Sequence, residues 1–138
     1  MKLRIKGNSI RLRLGQSEVR RLAIGGTVEE STDFGPSEEQ RFQYTLRASS
    51  EEAGVSASFA DRSIVITVPS HIVHQWATTD QISIHADQRA RADDELAILI
   101  EKDLECIDPA PGEDQRDAFP NRQLSSACTG ATSIERVA

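Results

Sequence analysis

The feature that most constrains this chain is an internal repeat with a period of 54 residues. When the sequence is shifted by that period, apolar positions coincide without a gap, far more often than a 38% hydrophobic composition would produce by chance. The coinciding pairs include Leu12 with Ile66, Leu22 with Trp76, Val28 with Ile82, and Leu46 with Ile100. The pattern therefore predicts two copies of one structural unit.

Each unit combines a hairpin, a short helix, a strand, a polar loop and a further strand, over residues 2–48 and 56–102. One copy alone cannot bury its apolar hairpin face, because isolated hairpins are marginally stable in water. The sequence predicts a mainly β fold (α+β) with eight strands and two short helices. The two internally duplicated hairpin-helix-strand-strand units would form one pseudo-twofold, barrel-like sheet.

The first hairpin alternates apolar and basic residues on both sides of Gly7-Asn8, a typical two-residue turn. Pairing about this turn places five basic residues on the face opposite the apolar one: Lys2, Arg4, Lys6, Arg11 and Arg13. Arg4 would lie opposite Arg11, and Lys2 opposite Arg13, and such like-charge pairs destabilise a strand ladder. The second hairpin has Ser, Thr and Val at the corresponding positions, so the architecture does not require the charge.

The charge of the chain is unevenly distributed. Residues 1–24 contain seven basic residues and one acidic residue, a net charge of +6, whereas the whole chain carries −6, leaving −12 for the remainder. This separation indicates a positive patch that binds phosphate or carboxylate groups. A solvated face neutralised by the chain's own carboxylates is the alternative.

The domain prediction is a single domain over residues 1–121. It consists of the two repeats and an acidic, proline-rich extension at 103–121, in which Ile107 and Phe119 are expected to be anchors; residues 122–138 are predicted to be a disordered tail. The predicted core contains Ile5, Ile10, Leu12, Leu22, Phe59, Ile64, Ile66, Trp76 and Ile98.

Short motifs in both units resemble the swapped-hairpin module of AbrB-type transcription regulators. The motifs are Lys6-Gly-Asn-Ser9 and Gly26-Thr-Val28 in the first copy, and Ile66-Thr-Val-Pro69 and Asp80-Gln-Ile82 in the second. The resemblance implies two interleaved units and, in that family, frequent DNA binding. The first copy has Gly15 where the family usually has proline, and each unit has an additional strand.

Over residues 1–121 the chain also resembles a family of small bacterial proteins without an assigned activity. The similarity rests on the opening Lys6-Gly-Asn-Ser-Ile-Arg-Leu-Arg-Leu14 segment, on Glu101-Lys-Asp followed by Cys106, and on the Pro-Gly-Glu-Asp and Phe-Pro-Asn sequences near the end of that region. This resemblance implies no mechanism.

No catalytic or metal-binding motif is identifiable. His71 and His74 lie three residues apart on the second predicted helix without a carboxylate or cysteine at ligand spacing, so surface histidines are expected. No motif positions a base to activate Cys106. The prediction is therefore no catalytic residue, no metal and no cofactor.

The function predicted from these observations is that of a non-catalytic binding domain. Its basic hairpin face would contact an anionic partner, either a nucleic acid or an acidic protein. The alternative is a small enzyme that uses the cleft between the repeats, with carboxylates of residues 101–117 near Arg4 or Arg11. The absence of a long apolar stretch or a signal-peptide pattern predicts a cytoplasmic protein without membrane contact, either a monomer or a weak homodimer.

Overall fold

The computed structural model describes residues 1–105, 111–112 and 114–121. Their eight strands are β1 (Lys2–Lys6), β2 (Ser9–Leu14), β3 (Thr27–Asp33), β4 (Arg41–Ser49), β5 (Ser56–Ala60), β6 (Ser63–Pro69), β7 (Ser83–Arg91) and β8 (Asp94–Lys102). The two α-helices are α1 (Gln16–Ala23) and α2 (Ser70–Thr78), and a short 3₁₀ turn covers Glu38–Gln40. The mainly β composition, the eight strands and the two helices of the prediction are confirmed.

The strands form two four-stranded sheets, each of which contains strands from both halves of the chain. Sheet A has the order β1-β2-β8-β7 and sheet B has the order β3-β4-β6-β5. Each hairpin therefore joins the last two strands of the other half, through the parallel pairs β2–β8 and β4–β6. The described residues do not close these sheets into a barrel.

A 54-residue shift relates three strands of sheet A to three strands of sheet B: β1 to β5, β2 to β6, and β8 to β4. Leu3 pairs with Leu12 in β1–β2, and Ala57 pairs with Ile66 in β5–β6. The parallel pairs follow the same rule, since Ser9 pairs with Ala97 and Ser63 with Gln43. The predicted register of the first hairpin is confirmed in full, and Gly7 has the positive φ that its turn requires.

One predicted correspondence is wrong. Ile84, not Ile82, occupies the position of Val28, because Ile84 pairs with Ile100 as Val28 pairs with Leu46. The chain has two more residues between Trp76 and Ile84 than between Leu22 and Val28, and a shorter β7–β8 connection compensates for them. An alignment without gaps could not detect this offset.

The apolar faces of both sheets and the inner sides of both helices form one core. Seven of the nine predicted core residues are buried: Ile10, Leu12, Leu22, Ile64, Ile66, Trp76 and Ile98. The prediction is wrong for Ile5 and Phe59, which are 57% and 70% exposed. Both lie on edge strands near the hairpin turns, whereas each helix follows the opposite end of its hairpin, so that the turn end of the apolar face is left uncovered.

The C-terminal described segment packs back onto the first unit. Asp117 accepts hydrogen bonds from the Ser17 backbone nitrogen (3.1 Å) and from Ser17 Oγ (2.6 Å), at the start of α1. Phe119 packs against the core, as predicted for an anchor. Its backbone nitrogen donates a hydrogen bond to the backbone oxygen of Asp103 at 2.8 Å. Ile107, Cys106 and the predicted tail at 122–138 lie outside the described residues.

The longest α-helix in the described ranges has nine residues, and none of the helices there is long and apolar enough to cross a membrane.

Candidate anion-binding face

Strand alternation places all five predicted site residues on the outer face of sheet A, opposite the core. The pairing continues this face across four strands. One row runs from Arg4 through Arg11 and Leu99 to His85, and the next runs from Lys6 through Ser9 and Ala97 to Asp87. No local sequence pattern assigns His85 and Asp87 to this face, because the parallel β2–β8 pairing that brings them near the first hairpin is non-local.

Carboxylates neutralise one end of this face. Arg13 Nε lies 2.7 Å from Glu101 Oε1, and Arg11 Nε lies 3.4 Å from the same oxygen. Lys2 Nζ lies 2.9 Å from Asp103 Oδ2. Three of the five predicted cations are therefore paired within the chain, and Glu101 relieves the repulsion at the end of the hairpin.

The other end of the face keeps its positive charge. Arg4 and Lys6 are exposed, and neither forms an ion pair with a carboxylate in the part of the chain that the structure describes. Together with Arg11 they form one wall of a groove of about 390 Å³, and His85 and Asp87 form the opposite wall. We call this the cationic groove. Its floor includes the small side chains of Ser9 and Ala97, which leave room for a bound group.

The corresponding outer face of sheet B provides an internal comparison. Where Arg4 and Arg11 stand in sheet A, sheet B has Ser58 and Val65. Arg47 occupies the position of Glu101, and its Nε donates to Thr67 Oγ1 at 3.0 Å. The same architecture thus folds around a nearly neutral face, so the positive charge in sheet A is not a requirement of the fold.

The acidic extension contributes only part of its charge to the basic face. Asp103 pairs with Lys2, but Asp117 lies at the start of α1 and Asp114 pairs with Arg116. Hydrogen bonds from the guanidinium and the backbone nitrogen of Arg116 lower the pKa of Asp114 to about 2. Two further acidic residues of this extension, Asp108 and Glu113, lie outside the described residues.

A buried lysine stands apart from the predicted site. Lys102 is 7% exposed, and its Nζ donates to the Thr79 oxygen at 2.8 Å and lies 5.3 Å from the centre of the Phe119 ring. Burial lowers the pKa of this ammonium, although the nearby Asp80 carboxylate opposes the shift. Ala48 occupies the corresponding place in the other unit, so Lys102 departs from the apolar pattern of the repeat.

The other residues considered from sequence lie away from the cationic groove. His71 and His74 are exposed on α2. Within the described ranges, no cluster of three or more His, Cys, Asp or Glu side chains could hold a metal ion.

Comparison with known proteins identifies a family model described as "Family of unknown function (DUF7009)", which matches residues 1–123. No curated protein and no solved structure matches the chain. The comparisons therefore give no support to the resemblance to AbrB-type regulators.

Proposed function

The chain belongs to this family of unknown function, and we propose from its geometry that it is a non-catalytic binding domain whose basic hairpin face contacts an acidic protein. The cationic groove is the contact surface, with Arg4 and Lys6 as the principal cations. The observation that carries the proposal is that these two side chains border a groove and have no carboxylate partner among the described residues, whereas Arg11, Arg13 and Lys2 do have such partners.

The charge pattern of the face favours an acidic protein over a nucleic acid. Asp87, Glu101 and Asp103 lie on or beside the same face, where they would repel a continuous phosphate backbone. The side chains of this face on β1, β2, β7 and β8 include no Phe, Tyr or Trp on which a base could stack. A protein segment can place separate carboxylates opposite Arg4 and Lys6 and avoid the acidic positions.

We also propose that the chain is an internal duplication, in which two units exchange hairpins about a pseudo-twofold axis to form a barrel-like structure. The identical order of corresponding strands in the two sheets supports this proposal. So does the agreement of the hairpin and parallel-pair registers with a shift of 54 residues. The duplication gives a reason for the charge difference, since one face can acquire a binding role while the other maintains the fold.

The alternative enzyme hypothesis gains no specific support. Glu101 and Asp103, the first carboxylates of the suggested catalytic segment, are held by Arg13 and Lys2. The cytoplasmic location, the absence of membrane contact and the monomeric or weakly dimeric state stay predictions from the sequence.

The test is the binding of labelled oligoglutamate and of a labelled DNA duplex, measured by fluorescence anisotropy at low and moderate salt. The variant Arg4→Gln, Lys6→Gln removes the two principal cations of the groove. The matched control is Arg20→Gln, Arg21→Gln, which removes two exposed cations from α1. We expect oligoglutamate to bind the parent and the control but not the groove variant, and the affinity to fall as salt screens the charges.

Two results would contradict the proposal. Equal loss of oligoglutamate binding in both variants would mean that net charge, not the groove, attracts the ligand. Binding of the duplex in preference to oligoglutamate, abolished by Arg4→Gln, Lys6→Gln, would assign the face to nucleic acid.

A further inference from the structure

The two edge strands that correspond by the 54-residue shift differ in whether their outward edge is covered. On β5, Gln88 Oε1 accepts a hydrogen bond from the Ala57 backbone nitrogen at 2.7 Å, and Gln88 Nε2 donates to the Ala57 oxygen at 2.7 Å. A side-chain amide thus pairs with both outward backbone groups of this residue, as a neighbouring strand would. The edge of β5 is covered at its centre.

Among the described residues, no side chain covers the edge of β1 in this way. Leu3 occupies the position of Ala57, because Leu3 pairs with Leu12 as Ala57 pairs with Ile66. The residue that corresponds to Gln88 is Thr32, which pairs with Phe42 as Gln88 pairs with Leu96. Threonine has no side-chain amide, and none of the side chains that the structure describes hydrogen-bonds to the Leu3 backbone.

The two sides of β1 differ in chemistry. Its outer side chains are Lys2, Arg4 and Lys6, and its inner side chains are Leu3 and Ile5. Ile5 borders a second groove of about 560 Å³ between the two sheets, the apolar groove, whose walls include Ile10, Phe42, Phe59, Ile64 and Leu96. Ile5 and Phe59, both more than half exposed, mark the place where apolar surface is left open to solvent.

We propose that β1 binds an extended partner segment of alternating acidic and apolar residues, which adds to sheet A as a fifth strand. Because side chains alternate along a strand, one set would face Arg4 and Lys6 while the other set entered the apolar groove beside Ile5. The outward backbone groups of Leu3 supply hydrogen bonds, and the two sides of β1 supply the sequence preference. This inference rests on the proposed function and specifies the partner's conformation and sequence pattern.

The experiment uses labelled peptides of the length of β1. One alternates Glu with Leu, a second alternates Glu with Ser, and a third is the Glu-Leu peptide with methylated backbone nitrogens, which cannot donate strand hydrogen bonds. We expect the Glu-Leu peptide to bind the full chain at least about tenfold more tightly than the Glu-Ser peptide, since leucine side chains are buried only in the first complex. Backbone methylation should abolish the difference.

Two variants test the edge and the groove separately. Thr32→Gln places an amide where Gln88 stands in the other half, so it should cover the β1 edge and weaken Glu-Leu binding. Ile5→Ser should weaken Glu-Leu binding but leave Glu-Ser binding unchanged. Thr32 and Ile5 are both exposed, so each substitution is expected to preserve the fold; circular dichroism and the unfolding midpoint check this.

The outcomes separate the two proposals. If the Glu-Leu and Glu-Ser peptides bind equally, if methylation of the Glu-Leu peptide has no effect, and if only Arg4→Gln, Lys6→Gln abolishes binding, then the basic face binds anions and the strand-addition inference is wrong. If neither peptide binds, both proposals are wrong. If Arg4→Gln, Lys6→Gln causes the protein to self-associate without any loss of peptide binding, the basic residues protect the edge from pairing, which also contradicts the inference.

Discussion

Gln88 and Ala57 are joined by two hydrogen bonds of 2.7 Å that connect sheet A to the edge of sheet B. Gln88 lies on β7 and Ala57 lies on β5, so the contact links an outermost strand of sheet A to an outermost strand of sheet B. It satisfies both outward backbone groups of Ala57. This single side chain therefore covers a strand edge and fixes one corner of the two-sheet structure.

Removing the Gln88 amide should destabilise the protein. For Gln88→Leu we expect a loss of about 1–3 kcal/mol in the free energy of unfolding, because two hydrogen bonds disappear and two backbone groups lose their partner. Urea unfolding measures the change. Thr32→Val is the matched control at the corresponding position, where the described residues form no such contact, and should shift the free energy by less than about 0.5 kcal/mol. Equal effects of the two substitutions would contradict the role assigned to Gln88.

Trp76 is the largest fully buried side chain, and its Nε1 donates to the Ile82 oxygen at 2.8 Å. We expect Trp76→Ala to lower the free energy of unfolding by about 3–5 kcal/mol, through lost burial and the cavity that is left. Trp76→Phe keeps most of the packing but loses the hydrogen bond, so its cost should be smaller. A loss below about 1 kcal/mol for the alanine variant, measured by urea unfolding, would be inconsistent with this packing.

The sequence predicts the pairing of strands within a hairpin well, and the pairing of strands distant in sequence poorly. Alternation about Gly7-Asn8 determines the register of the first hairpin, because a two-residue turn allows only one alignment of the flanking strands. The parallel pairing of β2 with β8 joins residues 88 positions apart, such as Ser9 and Ala97, and no local pattern encodes it. Alternation also indicates the side on which Ile5 and Phe59 lie, but not whether another element covers that side.

The same distinction applies to the site. Lys2, Arg4, Lys6, Arg11 and Arg13 share one face, as the hairpin pattern predicts. Their carboxylate partner Glu101 and the opposite wall at His85 come from strands that pair with the hairpin only after folding. One feature of the sequence could have indicated that Lys102 is buried. It continues the alternating apolar positions of the last strand, and the other copy has Ala48 at this position.

Glu101 holds two guanidinium groups at one end of the basic face. Glu101→Gln should leave the Arg11 and Arg13 charges without a partner and lower the free energy of unfolding by about 0.2–1 kcal/mol, since both arginines are partly exposed to solvent. The loss should shrink as salt concentration rises. Oligoglutamate binding should become tighter in the same variant, because a competing carboxylate has been removed.

The control for Glu101→Gln is Glu29→Gln, which removes one exposed carboxylate from the outer face of sheet B. It changes the net charge equally and should leave oligoglutamate affinity nearly unchanged. If both variants strengthen binding by the same factor, the effect arises from net charge, and Glu101 does not regulate the basic face. Anisotropy titrations and urea unfolding at two salt concentrations measure both effects.

Lys102 should make stability depend on pH at alkaline values. Burial lowers its pKa from the ordinary 10.5, so the folded protein binds this proton less tightly than the unfolded chain does. Between the lowered pKa and 10.5 the unfolded chain holds more protons, and the free energy of unfolding contributed by Lys102 rises with pH. Lys102→Met lacks this titration, so the parent should gain stability relative to the variant as pH rises through that window.

At pH 7 we expect Lys102→Met to be at least as stable as the parent, because the largely buried ammonium has a desolvation cost that an apolar side chain of similar volume does not have. Tyr44 also titrates at high pH, and burial raises its pKa, but that contribution is common to both proteins and cancels in the difference. Urea unfolding of both proteins across the alkaline range measures the difference directly. A difference that stays constant with pH would show that the ammonium of Lys102 is not destabilised by its position between Thr79 and Phe119.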